Sequence, residues 1–209
     1  MKELKLLLVL ITVLTFTIKG QVRYDIPADL LLEANTAKGV SYLSQDEKDI
    51  ILYMNVARLD GAWFITNIVE KNSDETQDDN KKYISSLISD LKKINGLPVL
   101  YPAKGLSNAA RYHANDMGQT GLFKHRSSDG TDTFERIERF AKGDYMGENI
   151  SAGISESTLI VLDLLIDSGI PSLGHRKNTL SSDFKYVGVA IEPHKEYGVN
   201  CVMDFSDLK

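Results

Sequence analysis

Residues 157–166, with the sequence STLIVLDLLI, limit the fold of this chain more than any other segment. The segment has the length of a helix and is apolar on almost every side, with Asp163 as the exception. A helix that is apolar all round is buried between other elements, whereas a surface helix keeps a polar face. The sequence therefore predicts a layered fold with this helix sandwiched inside it. Asp163 and Asp167, four residues apart, are expected on one face.

The C-terminal region has the pattern of an antiparallel β-hairpin. Two strand-like runs, 185–192 and 199–206, are joined by the polar connection PHKEYG. Alternating positions of the second run share one face: Val199, Cys201, Met203 and Phe205. Cys201 is therefore predicted to be a buried apolar residue and not a nucleophile, since a reactive thiol needs an accessible, electropositive setting.

Amphipathic helices are predicted upstream of this region. The first, 45–59, follows Ser44, and Glu47 completes a capping-box pattern three residues after it. Two further segments carry apolar residues at helical spacing: 84–94 and 106–117. A short helix is predicted over 133–140.

Two segments lack any such periodicity. Residues 71–80, KNSDETQDDN, contain no apolar residue and are predicted to form a solvated loop. Residues 21–43 are interpreted as a lead-in segment that lies on the domain or is partly disordered. One domain is predicted over 44–209, because a chain of this length buries a sufficient core without disulfides or metal ions.

The first twenty residues have the pattern of a secretory signal peptide. Lys2 and Lys5 precede an apolar run over 6–18, which is too short to span a bilayer comfortably. Cleavage after Gly20 would leave a chain that starts at Gln21. We therefore expect a protein that is secreted or held in the periplasm or cell envelope, with no transmembrane segment after cleavage.

The charge and cysteine content narrow the classes of partner. The net charge is −5 and no basic stripe is present, which argues against binding to nucleic acid or anionic membranes. The single cysteine excludes an intramolecular disulfide and suggests a bacterial background for an exported protein.

Common catalytic motifs are absent from the sequence: G-x-S-x-G, H-E-x-x-H, the P-loop and G-x-G-x-x-G. A dispersed set of groups remains, consisting of His125, Glu148 and His175, with Asp163 or Asp167 nearby in sequence. Two imidazoles with carboxylates suit a divalent transition metal, and equally suit a proton-transfer pair. The sequence alone does not show that they meet. His113 lies on an apolar helix face and is expected to be a hydrogen-bonded core residue.

Several motifs occur in an order that resembles one family: MNVAR, HANDM, FKHRSSDGTDTFERI, GENISAG, GHRKN and the closing hairpin. Together they resemble the CAP superfamily, also called SCP-like, which includes cysteine-rich secretory proteins, antigen 5 and plant pathogenesis-related proteins. The likeness extends over about 44–206 and is greatest to the cysteine-poor bacterial members.

The resemblance implies a three-layer α/β/α sandwich with a central, mainly antiparallel sheet, and a cleft lined by two histidines and two acids. It assigns the histidines to His125 and His175 and the first acid to Glu148. The second acid departs from the family pattern, since LLIDS lacks the expected Trp and Glu. Either Asp167 or Ser168 takes its place.

Three functions follow from the resemblance as alternatives. The first is binding of zinc or another divalent cation by His125 and His175, with Glu148 orienting a histidine or a water. The second is a hydrolase of peptides or esters that uses Glu148 as general base, so that His125, Glu148 and His175 are the catalytic candidates. The third is a non-catalytic protein that binds a lipid, sterol or protein partner, with a groove near 121–123 or the lead-in segment.

The polar residues near these motifs are predicted to be structural: Asn55, Arg58, Asn149, Arg176 and Asn178. Asn149 is expected to brace a turn that presents Glu148.

Overall fold

The computed structural model describes residues 24–72 and 78–209. The predicted signal peptide, 1–20, lies outside the described residues. The helices are α1 Ala28–Ala34, α2 Gln45–Leu59, α3 Gly61–Phe64, α4 Glu70–Asn72, α5 Asp78–Leu91, α6 Lys104–Thr120, α7 Thr133–Glu138, α8 Ser157–Ile166 and α9 Gly174–Leu180. A π-helical segment, Ile65–Val69, joins α3 to α4. The strands are β1 Tyr101–Pro102, β2 Met146–Ala152, β3 Tyr186–His194 and β4 Gly198–Ser206.

The strands form one sheet in the order β1-β3-β4-β2. The pairing of β1 with β3 is parallel, and the pairings of β3 with β4 and of β2 with β4 are antiparallel. Helix α6 packs on one face of the sheet, while α2 and α8 belong to the layer on the other face. The expectation of a three-layer α/β/α fold with a mainly antiparallel sheet is confirmed.

Alternation along β4 divides the core between the two faces of the sheet. Cys201, Met203 and Phe205 are buried in the cluster that includes α2 and α8, as the sequence predicts. Val202 points the other way and packs with Ala110 and Ala114 of α6. The Cys201 thiol is buried, and burial raises its pKa, so it is a packing group and not a nucleophile.

Helix α8 confirms the prediction from its apolar sequence. It packs against α2, α5 and β2, and its buried residues occupy several sides of the helix: Ser157, Thr158, Ile160, Val161, Leu162, Leu164 and Leu165. Asp163 remains exposed. The helix α2 is also confirmed over Gln45–Leu59, with reciprocal capping hydrogen bonds between Ser44 and Glu47.

Helix α6 approaches the sheet very closely at Gly188. A Cβ atom added there would lie 2.0 Å from the carbonyl carbon of Leu106 and from the backbone nitrogen of Ser107. Only glycine permits this approach, which brings α6 and the segment that follows it against the strands that carry the site.

Two local predictions differ from the structure, whereas the described part of the lead-in lies on the domain, as one of its two predicted alternatives had it. Residues 71–72 belong to α4 and residues 78–80 to α5, so the solvated loop is shorter than predicted, and residues 73–77 lie outside the described part. Helix α7 ends at Glu138 and not at Phe140. The lead-in contains α1, which packs on α2.

Candidate functional site

His125 is held by a buried carboxylate. It lies between α6 and α7, and its Nδ1 is 2.8 Å from Oε1 of Glu148 on β2. The side chain of His125 is 52% exposed, whereas that of Glu148 is 1% exposed. The carboxylate therefore accepts the Nδ1 proton from below, and the Nε2 edge of the ring is left for solvent or a ligand.

Glu148 is anchored by α7. Oε2 accepts a short hydrogen bond from the buried Arg136 guanidinium, and Oε1 also accepts from Thr133 Oγ1 at 3.1 Å. Burial acts to raise the pKa of Glu148, but the hydrogen bond from His125 and the charge of Arg136 outweigh it and hold the pKa below its ordinary value. Glu148 is therefore an ionised group that orients His125.

Two buried side chains, Arg136 and His113, hold the loop that carries His125 by hydrogen bonds. Arg136 donates to the carbonyl oxygen of His125 at 3.1 Å and to Ser127 Oγ at 3.0 Å. His113 is fully buried in α6, with Nδ1 3.1 Å from Ser127 Oγ and Nε2 2.9 Å from the carbonyl oxygen of Lys124. Burial lowers the pKa of His113. His113 is thus a hydrogen-bonded core residue, as predicted.

His175 has the same arrangement with a different acid. Its Nδ1 is 2.8 Å from Oδ1 of Asp167, and Oδ2 of Asp167 accepts from the backbone N–H of His175 at 2.9 Å. Asp167 therefore caps the first turn of α9 while it orients the ring. Ser168 instead donates to Asn80 Oδ1 at 2.5 Å. Of the two alternatives left by the sequence, Asp167 is the residue that contacts His175.

The two histidine–carboxylate pairs lie close together, with a cleft beside His175. The ring centroids of His125 and His175 are 6.4 Å apart, with the ring planes inclined by 37°. A cavity of about 190 Å³ lies beside His175 between α8, β2 and the segment after α6. Within the described residues, neither Nε2 atom has a hydrogen-bond partner, so each imidazole presents an unpaired nitrogen.

Amide side chains join α9 to the strand that carries Glu148. Asn149 Nδ2 donates to the carbonyl oxygen of His175 at 3.0 Å and to Thr179 Oγ1 at 3.1 Å. Asn178 Nδ2 donates to Asn149 Oδ1 at 2.9 Å and to the carbonyl oxygen of Glu148 at 3.2 Å. The predicted turn around Glu148 is wrong, because both residues belong to β2. The amide of Asn149 therefore braces α9 against β2.

Away from the histidines, buried polar side chains donate hydrogen bonds to backbone carbonyl oxygens. Arg58 donates to the carbonyl oxygens of four residues: Pro98, Thr179, Ser181 and Phe184. Burial lowers the pKa of Arg58 to about 10. Asn55 donates to the carbonyl oxygens of Ala34 and Leu100 at 3.0 Å. Arg176 donates to backbone carbonyls of α5 and α8 and to Asp90, so it positions α9 and does not reach the cleft.

Sequence reasoning missed Arg136 and Asp204, the groups that surround Glu148. Asp204 is fully buried on β4, directly opposite Glu148 in the register of the sheet, and neither of its oxygens has a hydrogen-bond partner within the described residues. Burial and the neighbouring Glu148 raise its pKa well above the ordinary value. The sequence does indicate that Asp204 is buried, since alternation along the strand puts it on the same inward face as Val202.

A zinc ion shared by His125 and His175 would set the distance between their rings. Zinc about 2.1 Å from both Nε2 atoms would hold the ring centroids at most about 6.5 Å apart, and about 5.3 Å apart at a tetrahedral angle. The observed separation is near the upper limit, and no group of three or more metal-ligating side chains occurs in residues 24–72 and 78–209. The nitrogen pair fits zinc in donor type and requires the rings to approach by about 1 Å.

The sequence model of the CAP family, described as the cysteine-rich secretory protein family, matches residues 53–205. The chain belongs to the CAP family. The match includes the segments that carry the four residues of the two pairs. In the described part of this CAP domain, no helix is long and apolar enough to cross a membrane.

Two solved structures are similar to this CAP domain. An outer surface protein from Borrelia burgdorferi is 24% identical, with a TM-score of 0.48, and the match covers 64% of this chain and 96% of that one. An extracellular protein containing a SCP domain from Bacillus anthracis is 24% identical, with a TM-score of 0.43, and the match covers 62% of this chain and 41% of that one. Comparison with curated proteins found no match.

Proposed function

We propose that this chain is an exported CAP domain whose cleft binds a divalent cation, such as zinc, between His125 and His175. The observation that carries the proposal is the pair of histidines, each held at Nδ1 by a buried carboxylate and each without a partner at Nε2 among the described residues. A carboxylate that accepts the Nδ1 proton fixes the tautomer of the imidazole and makes its Nε2 lone pair more basic. Histidines that bind zinc usually have such a hydrogen-bond acceptor at the nitrogen that does not bind the metal.

The site would be an open one. Two nitrogen ligands leave coordination positions for water or a further ligand, unlike a closed structural site with four protein ligands. Glu148 and Asp167 remain hydrogen-bonded to the imidazoles and do not coordinate in this arrangement. When bound, the cation would act as a Lewis acid on the group that fills its open positions. The cation would be held more weakly than in a four-ligand site.

The geometry of Glu148 weighs against the hydrolase alternative in its original form. A general base must reach the water that it activates. The side chain of Glu148 is 1% exposed, and its oxygens already accept hydrogen bonds from His125, Arg136 and Thr133. His125 and His175 are therefore the proposed ligand-binding groups, and Glu148 orients His125 and does not act on a substrate.

A specific observation favours one second candidate, the binding of a lipid or partner. Leu122 and Phe123 are exposed beside the cleft, and Phe123 contacts the ring of Tyr197 with centroids 5.8 Å apart. Large apolar side chains exposed around a cleft are typical of a binding surface. Mass spectrometry of organic extracts of the purified protein would identify a bound lipid, and extracts without lipid would count against this candidate.

Calorimetric titration with zinc tests the cation site. We expect the wild-type domain to bind one zinc ion, and the double variant His125→Ala/His175→Ala to lose measurable affinity. The control is Glu70→Gln, an exposed residue of helix α4 that belongs to neither histidine–carboxylate pair. Unchanged zinc affinity in the double variant would overturn the proposal.

Export is a separate part of the proposal and has its own test. The apolar run over 6–18 behind Lys2 and Lys5 supports cleavage after Gly20. N-terminal sequencing of the protein recovered outside the cytoplasm should begin at Gln21. Recovery of the chain with its original N-terminus inside the cell would contradict export.

A further inference from the structure

The cleft beside His175 contains a carboxylate that the proposed cation site does not use. Asp163 lies on α8 one turn before Asp167, and it lines the cleft together with His175. Within the described residues, the Asp163 side chain has no hydrogen bond or ion pair, whereas both oxygens of Asp167 are occupied by His175. Asp163 is solvent-exposed, yet partial desolvation of its carboxylate, together with Asp167, raises its pKa, although His175 acts to lower it. Asp163 is thus an unpaired acid in a concave site.

The other polar groups of the cleft are mainly hydrogen-bond acceptors. His175 donates from Nδ1 to Asp167, so its Nε2 presents a lone pair. Ser151 also lines the cleft, but its Oγ is buried and a ligand does not reach it. Among the described residues that line the cleft there is no lysine, arginine, asparagine or glutamine. A ligand that satisfies these groups must therefore bring donors and positive charge.

The remaining wall of the cleft is apolar and aromatic. Phe123, Leu164 and Ile170 line it, and the cavity of about 190 Å³ admits only a small group. An aromatic ring attracts a cation placed near its face, and apolar walls favour a short alkyl chain. The cleft thus combines acceptors at one side with apolar surface at the other.

We infer that this cleft binds a primary ammonium group on a short alkyl chain, with Asp163 as its counter-ion and His175 Nε2 as a further acceptor. An ammonium nitrogen carries the charge that pairs with Asp163 and the N–H donors that both acceptors require. The inference does not depend on the zinc site, because it uses Asp163 and the unpaired nitrogen of His175 in the metal-free protein.

The test is a titration of the whole chain, freed of metal with a chelator, with n-butylammonium chloride by ¹H–¹⁵N NMR. We expect saturable shifts confined to the residues that line the cleft, namely 123, 150–152, 163–170 and 175. Asp163→Asn should weaken binding at least about tenfold, since it removes a charge-assisted hydrogen bond. Glu70→Gln, which removes the same charge from an exposed site, should bind as wild type does.

Two further ligands separate the contributions of charge and donors. n-Butanol has the chain without the charge, and tetramethylammonium has the charge without N–H donors, so both should bind at least about tenfold more weakly than n-butylammonium. Unchanged affinity in Asp163→Asn, equal binding of tetramethylammonium, or the absence of saturable shifts would overturn the inference. Zinc titration of the same Asp163→Asn protein keeps the two proposals apart, since zinc binding should persist even where ammonium binding is lost.

Discussion

Asp204 lies opposite Glu148 in the sheet, fully buried, with the Arg136 side chain as the nearby positive charge. The three groups carry two potential negative charges and one positive charge. Arg136 forms its ion pair with Glu148, and a second buried negative charge beside them would lack compensation. Asp204 therefore holds a proton.

This protonation predicts a pH-dependent effect of Asp204→Asn, which replaces the acid by a neutral group of the same shape. The folded pKa of Asp204 lies above its unfolded value, so its stabilising contribution is fully present below the unfolded pKa and is lost as the pH rises toward the folded pKa. The variant should therefore gain stability relative to wild type as the pH rises above the unfolded pKa of an aspartate, at up to about 1.4 kcal/mol per pH unit. Urea unfolding at several pH values measures the difference.

Asp207 provides a control of opposite sign. Backbone N–H groups of Tyr145 and Asp144 hold the pKa of Asp207 below its ordinary value. Its contribution is present above the unfolded pKa and is lost as the pH falls, so Asp207→Asn should lose stability relative to wild type as the pH rises from acid. A difference for Asp204→Asn that does not vary with pH would contradict the protonated state.

Arg136 predicts a large effect on stability from a single side chain. Arg136→Met leaves Glu148 buried without its positive partner, and breaking a buried ion pair costs about 3–5 kcal/mol in the free energy of unfolding. The matched control is Arg139→Met, one turn later, where the ion pair with Glu135 is exposed and a loss of at most about 1 kcal/mol is expected. Chemical denaturation measures the free energy of unfolding of both variants. Equal losses would show that the buried ion pair stabilises the fold no more than the exposed one.

At the scale of the elements, the end of α8 and the start of α9 form one structural unit. Asp167 ends α8 with a φ of 58°, in the left-handed region that few residues other than glycine, asparagine and aspartate adopt readily. From that position its carboxylate reaches the backbone N–H groups of His175 and Arg176. The strained residue thus sets both the direction of α9 and the orientation of the His175 ring.

Two variants of Asp167 should separate these roles. Asp167→Asn tolerates the left-handed backbone and still offers one acceptor oxygen, so we expect a stability loss of about 1 kcal/mol or less with zinc affinity reduced about 10- to 100-fold. Asp167→Ala loses the cap as well, which should add about 1–2 kcal/mol of destabilisation. Thermal unfolding and zinc calorimetry on the same samples measure the two effects. Wild-type zinc affinity in Asp167→Asn would reject the orienting role.

The elements also differ in how far the sequence predicts them. Helix α2 and the hairpin of β3 and β4 follow from local signals, namely the capping box of Ser44 and Glu47 and the alternation around Cys201. Strand β2 carries no such signal, because MGENISA has little alternation and pairs with β4 from about fifty positions away along the chain. Its strand conformation depends on that non-local pairing, whereas the local sequence around Glu148 predicts a turn.

At the scale of the whole molecule, residues 24–43 are joined to the rest of the fold through buried contacts. Ala34, Ala37 and Leu43 are buried in the main core, and Asn55 donates to the carbonyl oxygen of Ala34. Tyr24 meets Tyr53 edge-on with ring centroids 6.0 Å apart. These contacts place the lead-in within the packed structure.

A chain that begins at Ser44 should therefore be less stable than one that begins at Tyr24. We expect a loss of about 3 kcal/mol or more, from re-exposed apolar surface and a lost hydrogen bond to buried Asn55. Urea unfolding of both chains makes the comparison. Equal stability would support the domain boundary at residue 44 that the sequence suggested.

Local periodicity and the order of motifs along the chain are enough to predict the apolar helix, the hairpin, the capped helix α2 and the importance of His125, Glu148 and His175. The folded arrangement adds that Glu148 orients His125, that Asp167 orients His175, and that Arg136 and Asp204 lie beside Glu148. Such pairings join residues distant in sequence, and they form only when burial in the packed layers removes water and leaves each charge to its nearest partner.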